Sequence, residues 1–375
     1  MSSNTSAFTI VNNAYMHFAI TAAQSYIERN PTSVFYIFLL DHNVSESSVD
    51  KRIKVTEVTS SLIPDLAERS RYYEITELST SIKPDIMLYL MEIGYKAVLY
   101  FDPDICFYDS VDHVFALLKD NDIIVTPHST TPVYDGKRPD DLNFLRAGTF
   151  NLGFIGVASG NEGRSFLKWW AERLTANAFS SFSMGMFTDQ KWLDLMPCYF
   201  DSYYILKDGG YNMAYWNLHE RTLTSSNGTV LVNNKSRLVF FHFSGIDING
   251  EGISKYQTRL EGFPNQELEY LFSEYRKKVQ DNKKTLNISV SKVEQKVNDL
   301  DRLLYFHNYM SEHKKNFSYD ERVVQLGNRI ARLPFPINNI VRRIAVKMLS
   351  DSTLRNINNS VNKINISYLI SRLKP

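Results

Sequence analysis

The segment Val98–Ile105 constrains the fold of this chain more than any other feature. Four strand-forming apolar residues lead directly into Asp102, Pro103 and Asp104. Proline cannot donate to a sheet ladder, so the strand must end here with both carboxylates at its carboxyl end. In open α/β sheets this edge binds ligands, and two such close like charges favour a cation between them. The segment predicts a divalent-metal site for a phosphorylated ligand; the alternative is a solvated turn.

Strands and helices alternate over residues 8–128. An apolar run at Phe8–Val11, a helical segment to about residue 28 and a second apolar run at Val34–Leu40 predict a βαβ unit. Such alternation predicts an α/β fold with a mainly parallel sheet flanked by helices. Further segments are predicted as helices at 44–70, 82–93, 111–119 and 163–174, as strands at 72–75, 97–101, 123–126, 150–157 and 238–243, and as a loop at 129–147.

Composition and motifs exclude several classes of protein. The net charge of +1 argues against a general nucleic-acid binder. There is no Gly-x-Gly-x-x-Gly or Walker sequence, so dinucleotide and P-loop chemistry are not indicated. Cys106 and Cys198 lie in apolar sequence and are expected to be buried free thiols. A polar, uncharged start at Met1–Ser6 and the lack of long apolar runs predict a cytoplasmic protein, free or peripheral on the inner membrane face.

The composition changes beyond about residue 265. We expect a main domain over 1–262, a charged helical linker over 263–320 and a basic amphipathic helical tail over 321–375. The tail has ten Lys and Arg residues against Glu321 and Asp351, with apolar residues between them. This pattern predicts binding to an anionic membrane surface. The alternative is a helical cap on the main domain whose charges are simply solvated.

Six short motifs follow one another in the order of a known family. The motifs are Asn12-Asn13-Ala14-Tyr15, Lys83-Pro84, Asp102-Pro103-Asp104, Phe150-Asn151-Leu152-Gly153, Asp189-Gln190 and His242-Phe243-Ser244-Gly245. With these motifs the chain resembles nucleotide-sugar-dependent glycosyltransferases of the GT-A fold, most closely glycosyltransferase family 8, over about residues 7–250. The resemblance implies a GT-A-like, Rossmann-type sheet, here with a helical basic C-terminal extension.

The resemblance implies a metal site. Asp102, Asp104 and His242 match the residues that bind Mn²⁺, or Mg²⁺, beside the nucleotide diphosphate. Carboxylate oxygen and imidazole nitrogen are a suitable ligand set for such an ion. The alternative for His242 is a buried histidine at a strand end. The chain departs from the family at 246–249, where a Lys-Pro-Trp-like segment that contacts phosphate is usual.

The resemblance also implies a nucleotide-sugar site. Asn12, Asn13 and Tyr15 would bind the uridine, since amides match the uracil edge and a phenol ring can stack on it. Lys83, in the first turn of a helix, would pair with the diphosphate. Asp102 would also belong to this nucleotide-sugar site, because it would hold the metal beside the diphosphate. The alternative for Lys83 is a surface lysine. Asn151 would contact the donor sugar.

Asp189 and Gln190 are the candidate catalytic residues. In the resembling family this pair lies beside the donor sugar, where it would act as nucleophile or stabilise an oxocarbenium ion. The alternative is a helix N-cap followed by a surface residue. A polar-aromatic cluster downstream is assigned to the acceptor or donor-sugar side, with a buried tryptophan belt as the alternative. Its members are Asn212, Trp216, Asn217, His219 and Glu220.

These residues together predict a metal-dependent hexosyltransferase. The donor is expected to be a UDP-sugar and the acceptor an oligosaccharide or lipid-linked glycan of lipopolysaccharide, capsule or O-antigen type. A retaining outcome is expected, with an inverting enzyme as the first alternative. A non-catalytic nucleotide-sugar-binding protein is the second. A nucleotidyltransferase would carry a glycine-rich basic loop after the first strand, which this sequence lacks.

Overall fold

The structure is a computed structural model, and it describes residues 4–41, 50–181, 185–226 and 228–286. All of them belong to one compact unit, Met1–Lys296. The predicted tail, 321–375, and most of the predicted linker lie outside the described residues.

The described chain alternates strands and helices through its first half and is richer in short strands afterwards. The strands are β1 (Thr5–Val11), β2 (Val34–Leu39), β3 (Ile53–Glu57), β4 (Ala97–Phe101), β5 (Ile105–Phe107), β6 (Ile123–Pro127), β7 (Phe150–Ala158), β8 (Ser180–Ser181), β9 (Met186–Phe187), β10 (Tyr203–Ile205), β11 (Met213–Ala214), β12 (Leu223–Ser226), β13 (Thr229–Val232), β14 (Ser236–Arg237) and β15 (Phe240–His242). The helices are α1 (Met16–Arg29), α2 (Leu66–Tyr72), α3 (Ile75–Ser81), α4 (Lys83–Glu92), α5 (Asp112–Leu117), α6 (Asp141–Ala147), α7 (Asn161–Asn177), α8 (Met196–Tyr199) and α9 (Gln266–Leu286).

A seven-stranded sheet forms the centre of the molecule, in the order β10-β6-β7-β4-β1-β2-β3. All neighbouring pairs are parallel except those of β7, which runs antiparallel to both β4 and β6. The βαβ unit predicted from the first strands is present, since β1 and β2 are parallel and α1 connects them. Nearly all residues of β1, β2, β4, β6 and β7 are buried, as expected for a sheet covered on both faces. The predicted α/β class with a mainly parallel sheet is confirmed.

A smaller sheet starts where the central one ends at the Asp-Pro-Asp turn. It has the order β11-β15-β5, and β5 begins one residue after Asp104. Strands β15 and β5 are antiparallel, with His242 opposite Ile105. This register brings a histidine from late in the chain next to the turn that follows β4.

Helix α9 packs against this smaller sheet and against α1. Its buried residues recur at helical spacing, which gives it one apolar face. The ring of Tyr275 stacks on Phe243 with centroids 3.7 Å apart. Asn282 donates to the hydroxyl of Thr21 on α1 at 2.8 Å. None of the helices in the described ranges is both long and apolar enough to cross a bilayer.

Two predictions of helices and strands are wrong. Residues 44–70 do not form one helix, because their described part contains β3 and the start of α2, and 72–75 is a junction between α2 and α3. Tyr72 and Tyr73 are buried there, and their hydroxyls donate to the carbonyls of Thr175 and Leu174. A short aromatic run cannot distinguish a strand from such a packed helix end.

The loop predicted over 129–147 ends in helix α6. Asp140 begins this helix with a capping box, in which it exchanges hydrogen bonds with Asn143. Cys106 is buried as expected, but the prediction for Cys198 is wrong, because this residue of the single-turn helix α8 is exposed.

Candidate active site

Three possible metal ligands meet at the carboxyl end of β4. Nε2 of His242 lies 3.0 Å from Oδ1 of Asp104 and 3.6 Å from Oδ2 of Asp102. One ligand atom from each side chain lies within 4.8 Å of the others. Two carboxylate oxygens and an imidazole nitrogen are donors that suit Mn²⁺ or Mg²⁺. The three residues therefore fit the divalent ion that the sequence predicts, without identifying it.

The backbone pairings of β4 with β7 and of β5 with β15 hold this trio in place. The amide of Asp102 donates to the carbonyl of Gly153 at 2.8 Å, and that of Phe243 donates to the carbonyl of Asp104 at 2.8 Å. Gly153 has no side chain because the His242 ring occupies the space. A Cβ there would lie 2.3 Å from Cε1 of His242. The glycine noted in β7 therefore makes room for the histidine.

The surroundings of His242 control its charge. Burial lowers the pKa of His242, but the carboxylate of Asp104 and, to a smaller extent, that of Asp102 outweigh this effect, so its pKa lies above the ordinary value. The ring of Trp216 meets the imidazole edge to face, with centroids 5.0 Å apart. His242 is thus a buried cation-binding or proton-binding group that faces two carboxylates.

Lys83 and Asp189 form a buried ion pair beside the trio. Nζ of Lys83 lies 2.8 Å from Oδ2 of Asp189 and 3.8 Å from Oδ1 of Asp102, and the Lys83 side chain is 2% exposed. The ammonium also donates to the carbonyl of Leu152 at 2.9 Å and lies 4.1 Å from the centroid of the Tyr100 ring. Lys83 opens α4 with Pro84 in its first turn, as the sequence predicts. The surface-lysine alternative does not hold.

Asp189 is held by its neighbours. It precedes a 3-10 helix, Gln190–Leu195, but its side chain makes no capping hydrogen bond. Instead its Oδ1 accepts from the hydroxyl of Thr188 at 3.0 Å. Burial raises the pKa of Asp189, while Lys83 and Thr188 act in the opposite direction. Thr188 has a positive φ of 48°, a strained value for a β-branched residue and one typical of functional sites.

Both ends of the Gln190 amide bind the backbone. Its Nε2 donates to the carbonyl of Ala147 at 2.9 Å, and its Oε1 accepts from the amide of Leu152 at 3.3 Å. Gln190 therefore ties α6 to β7 immediately behind the Lys83–Asp189 pair. Its predicted catalytic role remains a prediction.

A buried amide network surrounds Asn151 and Asn212. Nδ2 of Asn212 donates to Oδ1 of Asn151 at 2.9 Å and to the hydroxyl of Thr126 at 2.8 Å. The Asn151 amide lies 3.3 Å from Nε2 of His128. Asn212 adopts a left-handed φ of 53°, and Asn217 donates to its carbonyl at 3.0 Å. The network places these amides next to the trio through the strand β7.

The polar and aromatic residues that the sequence groups over 212–220 lie in two different places in the structure. Asn212, Trp216 and Asn217 belong to the buried network near His242. Glu220 instead accepts hydrogen bonds from the amide and hydroxyl of Thr130 and from neighbouring hydroxyls. His219 lies 3.1 Å from the hydroxyl of Ser129. This second half anchors the start of the loop that leads to α6.

The candidate nucleotide-binding residues lie after β1. The amide of Asn13 donates to a carboxylate oxygen of Asp41 at 2.6 Å. Tyr15 is 52% exposed, and its ring stacks on Phe18 with centroids 5.6 Å apart. Burial raises the pKa of Tyr15; the charge of Asp104 raises it further, whereas that of Lys255 lowers it. Asn12, Asn13 and Tyr15 thus line the edge of the sheet on the β1 side, and Tyr15 is within electrostatic reach of the metal trio.

Tyr100 and His128 belong to the site but were not predicted from the sequence. The hydroxyl of Tyr100 donates to Oδ1 of Asp102 at 2.6 Å. Because residues two apart on a strand share a face, the spacing of Tyr100 and Asp102 could have predicted this contact. His128 lies beside Asn151, and burial lowers its pKa to about 4. The sequence signal for His128 is its position directly after β6, at the edge of the sheet where ligands bind.

The fold and this site together define an α/β protein with a set of possible metal ligands at the carboxyl edge of its sheet, where proteins of this class bind ligands. A model of the family "Nucleotide-diphospho-sugar transferase" matches residues 33–243, more than half of the chain, and includes all three residues of the trio. The chain belongs to this family and is a glycosyltransferase.

Two relatives come from Bacillus subtilis (strain 168). The uncharacterized protein YfnF is 25% identical over 257 residues, which cover 65% of this chain and 82% of that protein. The uncharacterized protein YfnD is 24% identical over 191 residues, which cover 49% of this chain and 58% of that protein.

Two solved glycosyltransferases are similar in structure. The galactosyltransferase LgtC, crystallised with donor and acceptor sugar analogs, is 14% identical with a TM-score of 0.43, and the alignment covers 73% of this chain and 95% of LgtC. The glycosyltransferase GlyE of Streptococcus pneumoniae is 14% identical with a TM-score of 0.44, covering 75% of this chain and 63% of that one.

Proposed function

We propose that this glycosyltransferase moves a hexose from a UDP-sugar to a glycan acceptor in a metal-dependent reaction that retains the anomeric configuration. The convergence of Asp102, Asp104 and His242 supports the metal dependence most directly. Mn²⁺ or Mg²⁺ held by these residues would neutralise charge on the departing diphosphate.

The chain's own residues would fix the donor around this ion. Asn12, Asn13 and Tyr15 would bind the nucleoside, since they follow β1 and Tyr15 offers an exposed ring. Asn151 and Asn212 would orient the sugar through the buried amide network. Asp189 would present a carboxylate whose position is set by Lys83 and Thr188.

The Lys83–Asp189 contact favours a retaining over an inverting reaction. An inverting enzyme needs a general base that can accept the acceptor's proton. Burial raises the pKa of Asp189, but its Oδ2 lies 2.8 Å from the ammonium of Lys83, so this oxygen is already engaged and is not free to accept a proton from the acceptor. A stabiliser of positive charge at the sugar fits this carboxylate better.

The acceptor and the location are proposed from the amino-acid sequence of the tail. We propose that residues 321–375 bind the enzyme to the anionic inner face of the plasma membrane, near a lipid-linked acceptor of lipopolysaccharide or capsule type. Deleting 321–375 should release the protein from anionic liposomes while donor binding persists. Undiminished liposome binding would refute this part of the proposal.

A donor panel tests the enzymatic proposal. Binding and slow hydrolysis of UDP-hexoses should be measured with Mn²⁺ beside the corresponding GDP- and ADP-sugars. NMR of the first-formed product gives its anomeric configuration. We expect a UDP-hexose to bind best and the released sugar to retain its configuration. Preference for a GDP- or ADP-sugar would contradict the proposed donor. An inverted product would contradict the proposed retaining reaction.

A further inference from the structure

The two carboxylate oxygens of Asp102 have different neighbours. Oδ2 lies 3.6 Å from Nε2 of His242, so it faces the other members of the trio. Oδ1 accepts a hydrogen bond from the hydroxyl of Tyr100 at 2.6 Å and lies 3.8 Å from Nζ of Lys83. An ionised carboxylate can only accept, so the phenol is the donor in this contact. One oxygen of Asp102 is therefore turned toward the possible metal site and the other toward a hydroxyl and an ammonium.

The ring of Tyr100 is held by the strands on both sides of β4. Tyr100 lies opposite Phe8 on β1 and Ile155 on β7, and it is 2% exposed. The rings of Phe8 and Tyr100 meet edge to face with centroids 5.1 Å apart. A ring packed in this way has few alternative rotamers, so the direction of its hydroxyl is fixed. The hydrogen bond from Tyr100 therefore fixes the orientation of the Asp102 carboxylate.

Lys83 disfavours a second cation on the Oδ1 side. Its ammonium lies 4.1 Å from the centroid of the Tyr100 ring and 2.8 Å from Oδ2 of Asp189, and its side chain is 2% exposed. Like charges repel strongly where water is excluded. Binding of an ion through Oδ1 as well as Oδ2 would displace the Tyr100 hydrogen bond and bring two positive charges close together. Oδ2 is thus the oxygen with which Asp102 would bind a metal ion.

The number of oxygens that a carboxylate offers affects which ion it selects. Ca²⁺ takes six to eight oxygen ligands and often binds both oxygens of one carboxylate. Mg²⁺ and Mn²⁺ prefer octahedral sites, and Mg²⁺ in particular demands near-ideal geometry at shorter distances. A carboxylate that is restricted to one oxygen therefore favours the smaller ions over Ca²⁺.

We propose that Tyr100 is a positioning residue that restricts Asp102 to one metal-binding oxygen and so makes the trio select Mn²⁺ or Mg²⁺ over Ca²⁺. This inference rests on the proposed function, because that function includes a divalent ion at the trio. Tyr100 would act through Asp102 and would not bind the ion itself. Lys83 supports the same selection, since its ammonium lies over the Tyr100 ring on the side of Oδ1.

The test compares Mn²⁺ and Ca²⁺ as ligands of the full chain. Electron paramagnetic resonance measures free Mn²⁺ during a Mn²⁺ titration and then during displacement by Ca²⁺, which gives both dissociation constants. Tyr100→Phe keeps the ring and removes only the hydroxyl. We expect it to lower the ratio of the Ca²⁺ to the Mn²⁺ dissociation constant by about tenfold or more. Loss of folded protein would weaken the binding of both ions equally and would leave this ratio unchanged.

Tyr36→Phe is the matched control. Tyr36 is also a buried strand tyrosine, on β2, two strands away from β4. Its hydroxyl lies 3.0 Å from that of Tyr95, and the ammonium of Lys54 lies 5.3 Å from the centroid of its ring. Tyr36→Phe thus removes a hydrogen-bonded hydroxyl beside a lysine without touching the trio. The ratio of the two dissociation constants should equal that of the wild type.

Three results would overturn this inference and leave the proposed function standing. The first is a wild type that binds Ca²⁺ as tightly as Mn²⁺. The second is an unchanged ratio in Tyr100→Phe, whether or not both ions bind more weakly. The third is an equal fall of the ratio in Tyr36→Phe. A wild type that binds neither ion would overturn the metal dependence in the proposed function and this inference together.

Discussion

The ammonium of Lys83 lies 2.8 Å from the carboxylate of Asp189, and both side chains are at most 3% exposed. Taking two charges out of water is unfavourable unless each neutralises the other. The pair therefore links the start of α4 to the turn before the 3-10 helix Gln190–Leu195, beside Asp102. It places a carboxylate in the site and holds it in one position.

Removing one partner of this pair should be more harmful than removing both. Lys83→Met and Asp189→Asn are each expected to lower the free energy of unfolding by about 3–5 kcal/mol, because each leaves a buried charge without its partner. The double variant should lose clearly less than the sum, while all three lose transfer activity. Urea unfolding measures the stabilities. Additive losses would show that the two charges are not coupled.

A methyl group at residue 153 should damage the metal site specifically. The Cβ of Gly153→Ala would lie 2.3 Å from the buried His242 ring, which must move. We expect Mn²⁺ binding, measured by calorimetry, to weaken by about tenfold or more. Gly156→Ala is the matched control, since its Cβ would meet Leu99 at 2.8 Å, away from the trio. It should lose stability but bind Mn²⁺ normally. Normal Mn²⁺ binding by Gly153→Ala would argue against His242 as a ligand.

Acid should destabilise the fold partly through His128. Burial lowers the pKa of His128 from 6.5 to about 4, so between these values the unfolded chain binds a proton that the folded chain does not. The contribution of the neutral His128 to the free energy of unfolding is fully present above pH 6.5. It is lost as the pH falls toward 4, by about 1.4 kcal/mol per pH unit. His128→Gln keeps an acceptor for Asn151 and should flatten this slope. Urea unfolding between pH 7.5 and 4.5 measures it, and an unchanged slope would contradict the assignment.

Much of the fold was predictable because its signals are local. The alternation of strands and helices identified the α/β class, and the Asp-Pro-Asp turn marked the end of a central strand. The resemblance added His242, and the pairing of β15 with β5 explains how this distant residue reaches Asp104. Sequence order alone could not have supplied that register.

The partners of buried charges and rings were not predictable. Lys83 was expected to face a diphosphate, but its nearest charged group is Asp189, far along the chain. Tyr72 and Tyr73 were expected in a strand, but their hydroxyls bind the end of α7. Such contacts depend on tertiary packing, which overrides local propensity. The tail at 321–375 lies outside the described residues, and its predicted role awaits the liposome experiment.

The most direct test of the account measures UDP binding with Mn²⁺ and with EDTA for the wild type, Asp102→Asn and Asp104→Asn. Asp112→Asn, an exposed carboxylate in the first turn of α5, is the control. We predict that UDP binds tightly only with Mn²⁺, and that Asp102→Asn and Asp104→Asn each weaken this binding by about 100-fold or more while Asp112→Asn does not. UDP binding that is equally tight in EDTA, or in the Asp102 and Asp104 variants, would contradict a metal-diphosphate site at this turn.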